Sequence, residues 1–220
     1  HERIARYHIL CLHWKGGVHA EAWSEQQELE QLRKTLRSLI EFYDDHRLAG
    51  HECAHEPEFR AYNLLLHIRD PEALREVELL PAHVFTAAPV QQALRMRKLV
   101  QRSNLLEKRG RPRNTEATLN LFTRFFAELR RGEVPFLMAC LAENLFPSVR
   151  IGAVKALARA YMQQHNALPL DYVVRVLGMD STTDALEFLA LLGVDASAEG
   201  GQGTARINKT SVFDGASCDF

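Results

Sequence analysis

The sequence has few cysteines, no long apolar run and no excess of charge, and each absence excludes a class of protein. The four cysteines are widely spaced and form no C-x-x-C pair, which excludes a disulfide framework of the secreted type and favours a reducing compartment. The longest apolar run, Val134 to Ala142, is shorter than a helix that spans a bilayer. The net charge of -1 selects no polyanionic partner for the chain as a whole.

The short motifs of common catalytic sites are also absent. The sequence contains no P-loop, no G-x-S-x-G nucleophile elbow and no G-x-G-x-x-G dinucleotide fingerprint. What is present is ordinary for a globular chain of 220 residues: 46% hydrophobic and 25% charged residues, enough for one large domain or two small ones. We therefore expect no enzymatic activity and no cofactor. Since the chain opens in mid-pattern at His1-Glu2-Arg3-Ile4, we also expect it to be part of a longer protein.

One string favours the opposite interpretation, because His51 to His55 reads H-E-C-A-H, the signature of zinc peptidases. That site requires both histidines on one helix, so that the two rings reach the same metal ion. Gly50 directly precedes the string and Pro57 follows it within two residues, which predicts a loop between two helices. We expect no metal site here. A zinc metallopeptidase stays as the alternative from a different class, and the zinc content of the untagged protein distinguishes the two.

Helical periodicity extends over nearly all of the chain up to Gly193. Ile4, Tyr7, His8 and Cys11 have the spacing of one helix face, which predicts that His8 and Cys11 pack in the core and do not bind metal together with His13.

Local start signals divide the rest of this region into helices. Ser24 with Gln27 forms a capping box, and Pro57 and Pro71 suit the first turn of a helix. Helix lengths of this kind, in stacked pairs, indicate an α-solenoid, although the sequence has no sharp repeat.

The pattern changes after Pro147. Three short helices precede a turn rich in glycine and an alternating segment, Thr204 to Asn208, which is the order of a winged helix with its wing at about 194–210. We therefore predict a mostly α protein with a helical-repeat segment at 1–146, a winged-helix domain with a small β wing at 147–214, and a tail at 215–220. Phe188 is expected in the core of the second domain, where truncation to Ala would cost about 3–5 kcal/mol.

The near-zero net charge conceals an uneven distribution. Residues 1–94 hold ten Lys and Arg against fifteen Asp and Glu, and residues 166–220 hold three against eight. Between them, one block has Glu107 as its only acidic residue and carries eight basic ones: Arg95, Arg97, Lys98, Arg102, Lys108, Arg109, Arg111 and Arg113. Such a block fits a solvated helix end and loop, or a contact with nucleic acid or an acidic partner.

The last predicted helix argues against base readout. It would be the recognition helix of a DNA-binding winged helix, yet it presents Asp184 and Glu187 and has no Lys or Arg, so carboxylates would face phosphates. Arg150, Lys155 and Arg159 stay possible contacts to a nucleic-acid backbone. The predicted nucleic-acid-binding residues are Lys98, Arg102, Lys108, Arg109, Arg111, Arg113, Arg206 and Lys209. The sequence identifies no partner-binding residues.

Several segments, in order, resemble the GANP family of mRNA-export scaffolds. The most specific is Glu58-Phe59-Arg60-Ala61-Tyr62 followed by Leu65-Leu66, which is similar to the family's E-F-x-x-Y-x-x-L-L. The likeness extends nearly from end to end and includes Arg6-Tyr7-His8-Ile9, the run from Glu30 to Asp45, Leu74 to Val77, Asn120 with Arg124-Phe125-Phe126, Pro169 to Leu177 and Asp180 to Val194.

The resemblance implies a non-enzymatic scaffold of the nuclear transcription-and-export complex 2, located at the nuclear pore. It implies helical repeats followed by a PCI-type winged helix that pairs with a second PCI protein, to which a small acidic protein of the DSS/Sem type binds. It also implies a composite surface that binds RNA or DNA, with pore attachment through regions outside this chain and no membrane contact. The basic loop at 107–114 is an insertion relative to this family. Related PCI scaffolds of splicing or centrosomes stay as alternatives, while the E-F-x-x-Y motif argues against a proteasome-lid or initiation-factor subunit.

Overall fold

The computed structural model describes residues 1–15, 23–104, 121–160, 167–197 and 203–207, except for the side chains of 101–104 and 159. The chain divides into two compact units. The first comprises His1–Gln101 and Arg131–Leu145, and the second comprises Arg102–Arg130 and Phe146–Phe220. The division into a helical-repeat segment and a winged-helix domain stays a prediction.

Among the described residues, the first unit contains seven helices and one 3-10 turn. The last three residues of one of these helices, 102–104, are assigned to the second unit. Local signals start several of these helices. The Ser24 hydroxyl accepts a hydrogen bond from the Gln27 amide, and the Asp70 carboxylate accepts one from the Glu72 amide. Proline occupies the first turn of the helices that begin at Glu56 and Pro71. The elements are α1 (Glu2–Trp14), α2 (Glu25–Leu48), α3 (Glu56–Leu66), α4 (Pro71–Glu78), α5 (Ala82–Phe85), α6 (Ala88–Asn104), α8 (Phe136–Ala142) and the 3-10 turn Glu143–Leu145.

Helix α3 lies at the centre of the first unit. It contacts α2, α4, α5 and α8, while α1 contacts α2 and α8. Helix α8 therefore packs on two helices from the start of the chain, a non-local arrangement that helix periodicity cannot reveal. The fully buried side chains at this centre include Phe59, Leu64, Leu32, Leu36 and Met138.

The buried face of α1 differs from the predicted one. Ala5, Ile9 and Leu12 are buried, whereas Ile4 is 48% exposed and Tyr7 is 63% exposed. The sequence allowed this error because α1 carries apolar residues on more than one face, and tertiary packing selects between them. Phe136 of α8 is also exposed, although it is a large apolar residue.

The second unit contains helices α7 (Phe122–Arg130), α9 (Phe146–Ala160), α10 (Leu170–Leu177) and α11 (Thr182–Leu191) and three short strands. The strands β1 (Leu168–Pro169), β2 (Asp195–Ser197) and β3 (Thr204–Arg206) form an antiparallel sheet in the order β1-β3-β2. Strands β2 and β3 lie within the predicted wing, and in the structure Ala196 pairs with Ala205. Strand β1 was missed because two residues carry no periodicity. It pairs Leu168 with Ala205, directly before α10 begins.

One apolar cluster joins α9, α10, α11 and the sheet. Its fully buried side chains include Val154, Val173, Leu177 and Leu189. Phe188, by contrast, is half-buried and packs on the edge of this cluster, so the expectation of a fully buried ring was wrong.

The described residues confirm the mostly α class with a small β sheet near the C-terminus. Among them, one stretch, Phe136–Ala158, is long and apolar enough to cross a bilayer by length and composition alone. Its best window has a mean hydropathy of 1.3 and is 39% buried. Core helices of soluble proteins meet the same criterion, so no membrane assignment follows from it.

Candidate functional site

The predicted basic residues fall on both units. Lys98 is exposed on α6 in the first unit, and Arg206 is exposed on β3 in the second. The backbone of Arg102 lies in α6, but its side chain lies outside the described part of the chain. The remaining predicted residues, Lys108, Arg109, Arg111, Arg113 and Lys209, lie outside the described residues altogether. The structure thus describes two of the eight side chains, one in each unit.

Arg97 belongs to the same basic block of sequence but is buried. Its guanidinium donates to the carbonyl oxygens of Ile68 at 2.6 Å and Asp70 at 3.2 Å, just beyond the end of α3. Burial lowers the pKa of this arginine. Arg97 therefore connects α6 to the α3–α4 loop and is not available to a phosphate.

Arg150 was considered a backbone contact and instead closes the C-terminal end of α10. Its guanidinium donates to the carbonyl oxygens of Leu177 at 3.0 Å and Gly178 at 2.6 Å, and it lies over the Phe146 ring at 5.0 Å. A cation at this end also complements the negative end of the helix dipole. Arg150 therefore has a structural role at the end of α10, and its contact with nucleic acid stays a prediction.

The exposed face of α11 is acidic, as predicted. Asp184 and Glu187 are both exposed, and the Ser181 hydroxyl caps the helix by accepting from the Asp184 amide at 3.0 Å. Carboxylates on this face would repel the phosphates of a DNA groove. The geometry is therefore unsuited to major-groove readout by α11.

The H-E-x-x-H string lies in a loop, which confirms the prediction of its position. Residues 51–53 are irregular and His55 is the N-cap of α3, so the two histidines do not share a helix. His55 contacts the carboxylate of Glu2 at 2.8 Å, while the ring of His51 lies 6.2 Å from that of His46. Within the described ranges, no group of three His, Cys, Asp or Glu side chains is placed to hold a metal ion.

The three side chains His8, Cys11 and His13 of α1 diverge. The Nδ1 atom of His8 is 2.5 Å from a Glu28 oxygen of α2, and that of His13 is 2.8 Å from a Glu143 oxygen in the 3-10 turn. Cys11 is half-buried. The expectation that His8 and Cys11 form a buried core pair was therefore wrong, and the two histidines instead connect α1 to its neighbours.

The family motif at Glu58 to Tyr62 and the similar segment at Arg6 meet in a polar cluster where α1 contacts α3. Arg6 donates to both carboxylate oxygens of Glu58, at 3.0 and 2.7 Å, and the Tyr62 hydroxyl donates to Glu58 at 2.9 Å. Burial by itself raises the pKa of Glu58, but these hydrogen bonds outweigh it and hold the pKa below its usual value. Burial raises the pKa of Tyr62, which stays a neutral donor. The Arg6 guanidinium also lies over the Phe59 ring at 5.0 Å.

A second cluster surrounds Arg60, the middle residue of the same motif. Arg60 is 4% exposed and donates to Glu56 at 3.1 and 3.0 Å, and it also pairs with Asp44 of α2. Arg47 donates to the same Glu56 oxygen at 3.2 Å. The conspicuous motif of this chain thus holds α1, α2 and α3 together. Its role in joining helices was not foreseen, because Arg6, Asp44 and Arg47 belong to other helices.

Comparison with known proteins identifies the family of the chain. The sequence model of the SAC3/GANP family matches residues 1–198. The chain is 44% identical to SAC3 family protein 1 of Schizosaccharomyces pombe over 221 residues, which cover 100% of this chain and 21% of that protein. It is 28% identical to Protein xmas of Drosophila melanogaster over 203 residues, 90% of this chain and 9% of that protein.

A plant protein is also similar. SAC3 family protein B of Arabidopsis thaliana is 28% identical over 185 residues, 81% of this chain and 10% of that protein. The chain spans about a fifth of the Schizosaccharomyces pombe relative and about a tenth of the other two. With the family model matched over most of its length, the chain belongs to the SAC3/GANP family.

Proposed function

We propose that this chain is a non-enzymatic scaffold segment of a nuclear mRNA-export complex of the transcription-and-export type. The observation that carries the proposal is the family match over residues 1–198, and the mostly α fold with a small sheet near the C-terminus agrees with it. The polar clusters around Glu58 and Arg60 support a scaffold role. Their charged groups pair with one another and hold the helices of the first unit together.

The scaffold pairs with a second PCI protein through a PCI-type winged helix in the second unit. The order of three helices, α9, α10 and α11, followed by the β2–β3 hairpin supports this assignment. A small acidic protein of the DSS/Sem type joins the assembly by binding the partner. In the full-length protein, attachment to nuclear pores occurs through regions outside this chain.

The assembly also binds RNA or DNA without base-specific readout. The exposed carboxylates of α11, Asp184 and Glu187, would repel phosphates, which argues against base readout by this helix in a major groove. Basic residues would supply these contacts, with Lys98 and Arg206 as the exposed candidates among the described side chains.

Reconstitution with a candidate PCI partner tests the assembly. The chain and the partner are mixed and their combined mass is measured by light scattering after gel filtration. A stable one-to-one complex is expected, and separate elution at micromolar concentration contradicts the scaffold proposal.

A second experiment tests the nucleic-acid part of the proposal. A fluorescent single-stranded RNA is titrated with the chain alone and with the reconstituted complex, and its anisotropy is followed. Binding that tightens with the partner supports a composite surface, and equal binding by the chain alone assigns the contact to its own basic residues. Absence of binding in both cases contradicts a nucleic-acid role and leaves the scaffold role intact.

A further inference from the structure

A cationic and aromatic surface lies where α7 meets α10 in the second unit. Arg130, the last residue of α7, donates to the backbone carbonyl of Arg175 at 3.2 Å, so the two arginines are adjacent although they are 45 positions apart. The Arg175 guanidinium lies 5.9 Å from the centre of the Tyr172 ring. We refer to Arg130, Tyr172 and Arg175 as the α7–α10 surface.

Charge on this surface is mostly of one sign. The exposed charged side chains of α7 are Arg124 and Arg130, while its one carboxylate, Glu128, is 9% exposed. Of the charged side chains on α10, Arg175 and Asp171 are both exposed. The surface is therefore basic, with a single carboxylate at its rim.

An open depression of about 440 Å³ adjoins the Tyr172 ring. It is lined by Leu168, Pro169, Asp171, Tyr172 and Arg175, so an apolar floor and an aromatic ring lie beside a cation. Flat, uncharged groups with a negatively charged backbone match this combination, and these are the two parts of an unpaired nucleotide.

We propose that the α7–α10 surface binds single-stranded nucleic acid, with Tyr172 stacking on a base and Arg130 and Arg175 contacting neighbouring phosphates. Since the Arg175 side chain is exposed and its contact with the ring is long, it can rotate toward a phosphate while a base occupies the ring. Arg130 uses one guanidinium nitrogen for the Arg175 carbonyl, and because the side chain is exposed it has further N–H donors for a phosphate. Asp171 at the rim would repel a misplaced phosphate.

The inference rests on the nucleic-acid part of the proposed function and gives it a location. None of its three residues was predicted from the sequence, because Arg130, Tyr172 and Arg175 belong to no basic run. Surfaces of this composition bind any unpaired strand, since every base has a stacking face. RNA and DNA of the same length are therefore both used in the test.

The experiment measures the affinity of the full chain for fluorescent U15 and dT15 at several salt concentrations. Arg175→Gln should lower the slope of log affinity against log salt by about 0.7, the loss of one phosphate contact in a single strand. Tyr172→Leu should weaken binding about tenfold and leave the slope unchanged, since stacking releases no counterions. Arg130 is left intact because it holds a carbonyl of α10.

Two matched variants in the first unit serve as controls. Arg33→Gln removes an exposed cation on α2, and Phe42→Leu removes an exposed aromatic ring there. Both should bind like the wild type, and circular dichroism and melting temperature check that all four variants are folded.

The outcomes separate the inference from the function on which it rests. If the wild type binds U15 or dT15 and both α7–α10 variants bind equally well, the inference is overturned and the proposed function stands. If the wild type binds neither strand, alone or with its PCI partner, the nucleic-acid function itself is overturned. If Arg175→Gln and Tyr172→Leu bind more weakly than the wild type and the two controls do not, the α7–α10 surface is supported. The ratio of the wild-type affinities for U15 and dT15 then shows whether the surface prefers RNA.

Discussion

The guanidinium of Arg6 donates two hydrogen bonds, at 3.0 and 2.7 Å, to the carboxylate of Glu58, which lies 52 positions later in the sequence. The pair connects α1 to α3 at the centre of the first unit, and both side chains are less than one-third exposed. A paired, hydrogen-bonded charge in such a place stabilises more than a pair on the surface.

A double-mutant cycle on this pair should therefore give a clear coupling. Arg6→Gln, Glu58→Gln and the combined variant should show a coupling of about 1–2 kcal/mol in urea unfolding. The exposed pair Arg37–Glu41, at 3.5 Å, is the matched control and should give less than about 0.5 kcal/mol. Equal coupling in the two cycles would mean that the Arg6–Glu58 contact contributes no more than a surface pair.

Acid should weaken the same contact. The pKa of Glu58 is lowered in the folded state by hydrogen bonds that outweigh burial, and the pKa of Glu2 is lowered by hydrogen bonds from Tyr43 and His55 against the effect of its burial. An unfolded glutamate, with a pKa of about 4.3, binds its proton more readily than these groups do. The stabilisation is therefore complete above about pH 4.3 and is lost as the pH falls through the lower, folded-state pKa.

Urea midpoints measured from pH 6 to pH 3 test this sign. The difference in stability between the wild type and Glu58→Gln should be largest at pH 6 and should shrink below about pH 4.3. A difference that stays constant, or grows toward acid pH, would contradict the assignment of the lowered pKa to Glu58.

Gly178 ends α10 in a conformation that other residues adopt at a cost. Its φ is +60°, and an added Cβ would lie 2.5 Å from Cδ1 of Phe126. Gly178→Ala should cost about 2–4 kcal/mol, through left-handed strain and steric overlap together. Gly132 has a φ of +73° and open space within 4 Å of an added Cβ, so Gly132→Ala isolates the strain at about 1–2 kcal/mol. The same melting shift for both would exclude a contribution from Phe126.

Burial ranks two neighbouring truncations in α11. Leu189 is fully buried, whereas Phe188 is half-buried at the edge of the same cluster. Leu189→Ala should cost about 2–5 kcal/mol, and Phe188→Ala about 1–2 kcal/mol, because solvent already reaches the ring. Thermal or urea unfolding measures both. If Phe188→Ala is the more destabilising, the ring is more deeply packed in solution than its half-buried position at the cluster edge implies.

Charge reversal tests the basic segment of sequence. Changing Arg109, Arg111 and Arg113 to Glu should weaken single-stranded RNA binding and flatten its dependence on salt, because fewer phosphates are neutralised. Reversal of the exposed trio Arg33, Lys34 and Arg37 on α2 is the matched control. Unchanged affinity and slope in the first variant would show that this segment does not contact RNA.

The sequence by itself determined the local structure. Ser24, Asp70 and Ser181 start their helices by capping them, and Gly178 ends α10, because these effects depend on a few adjacent residues. The same locality explains why the loop position of His51 to His55 and the acidic face of α11 were predicted correctly, and why the ordered family motifs identified the family.

Only the tertiary structure decided which surfaces those helices bury. Helix α1 carries apolar residues on more than one face, and its contacts with α2 and α8 select Ala5, Ile9 and Leu12 over Ile4 and Tyr7. Arg97 and Arg150 look like any surface arginine in the sequence, yet each satisfies backbone carbonyls of an element that is distant in the chain. Burial and pairing depend on what lies opposite in space, and periodicity within one helix carries no information about that neighbour.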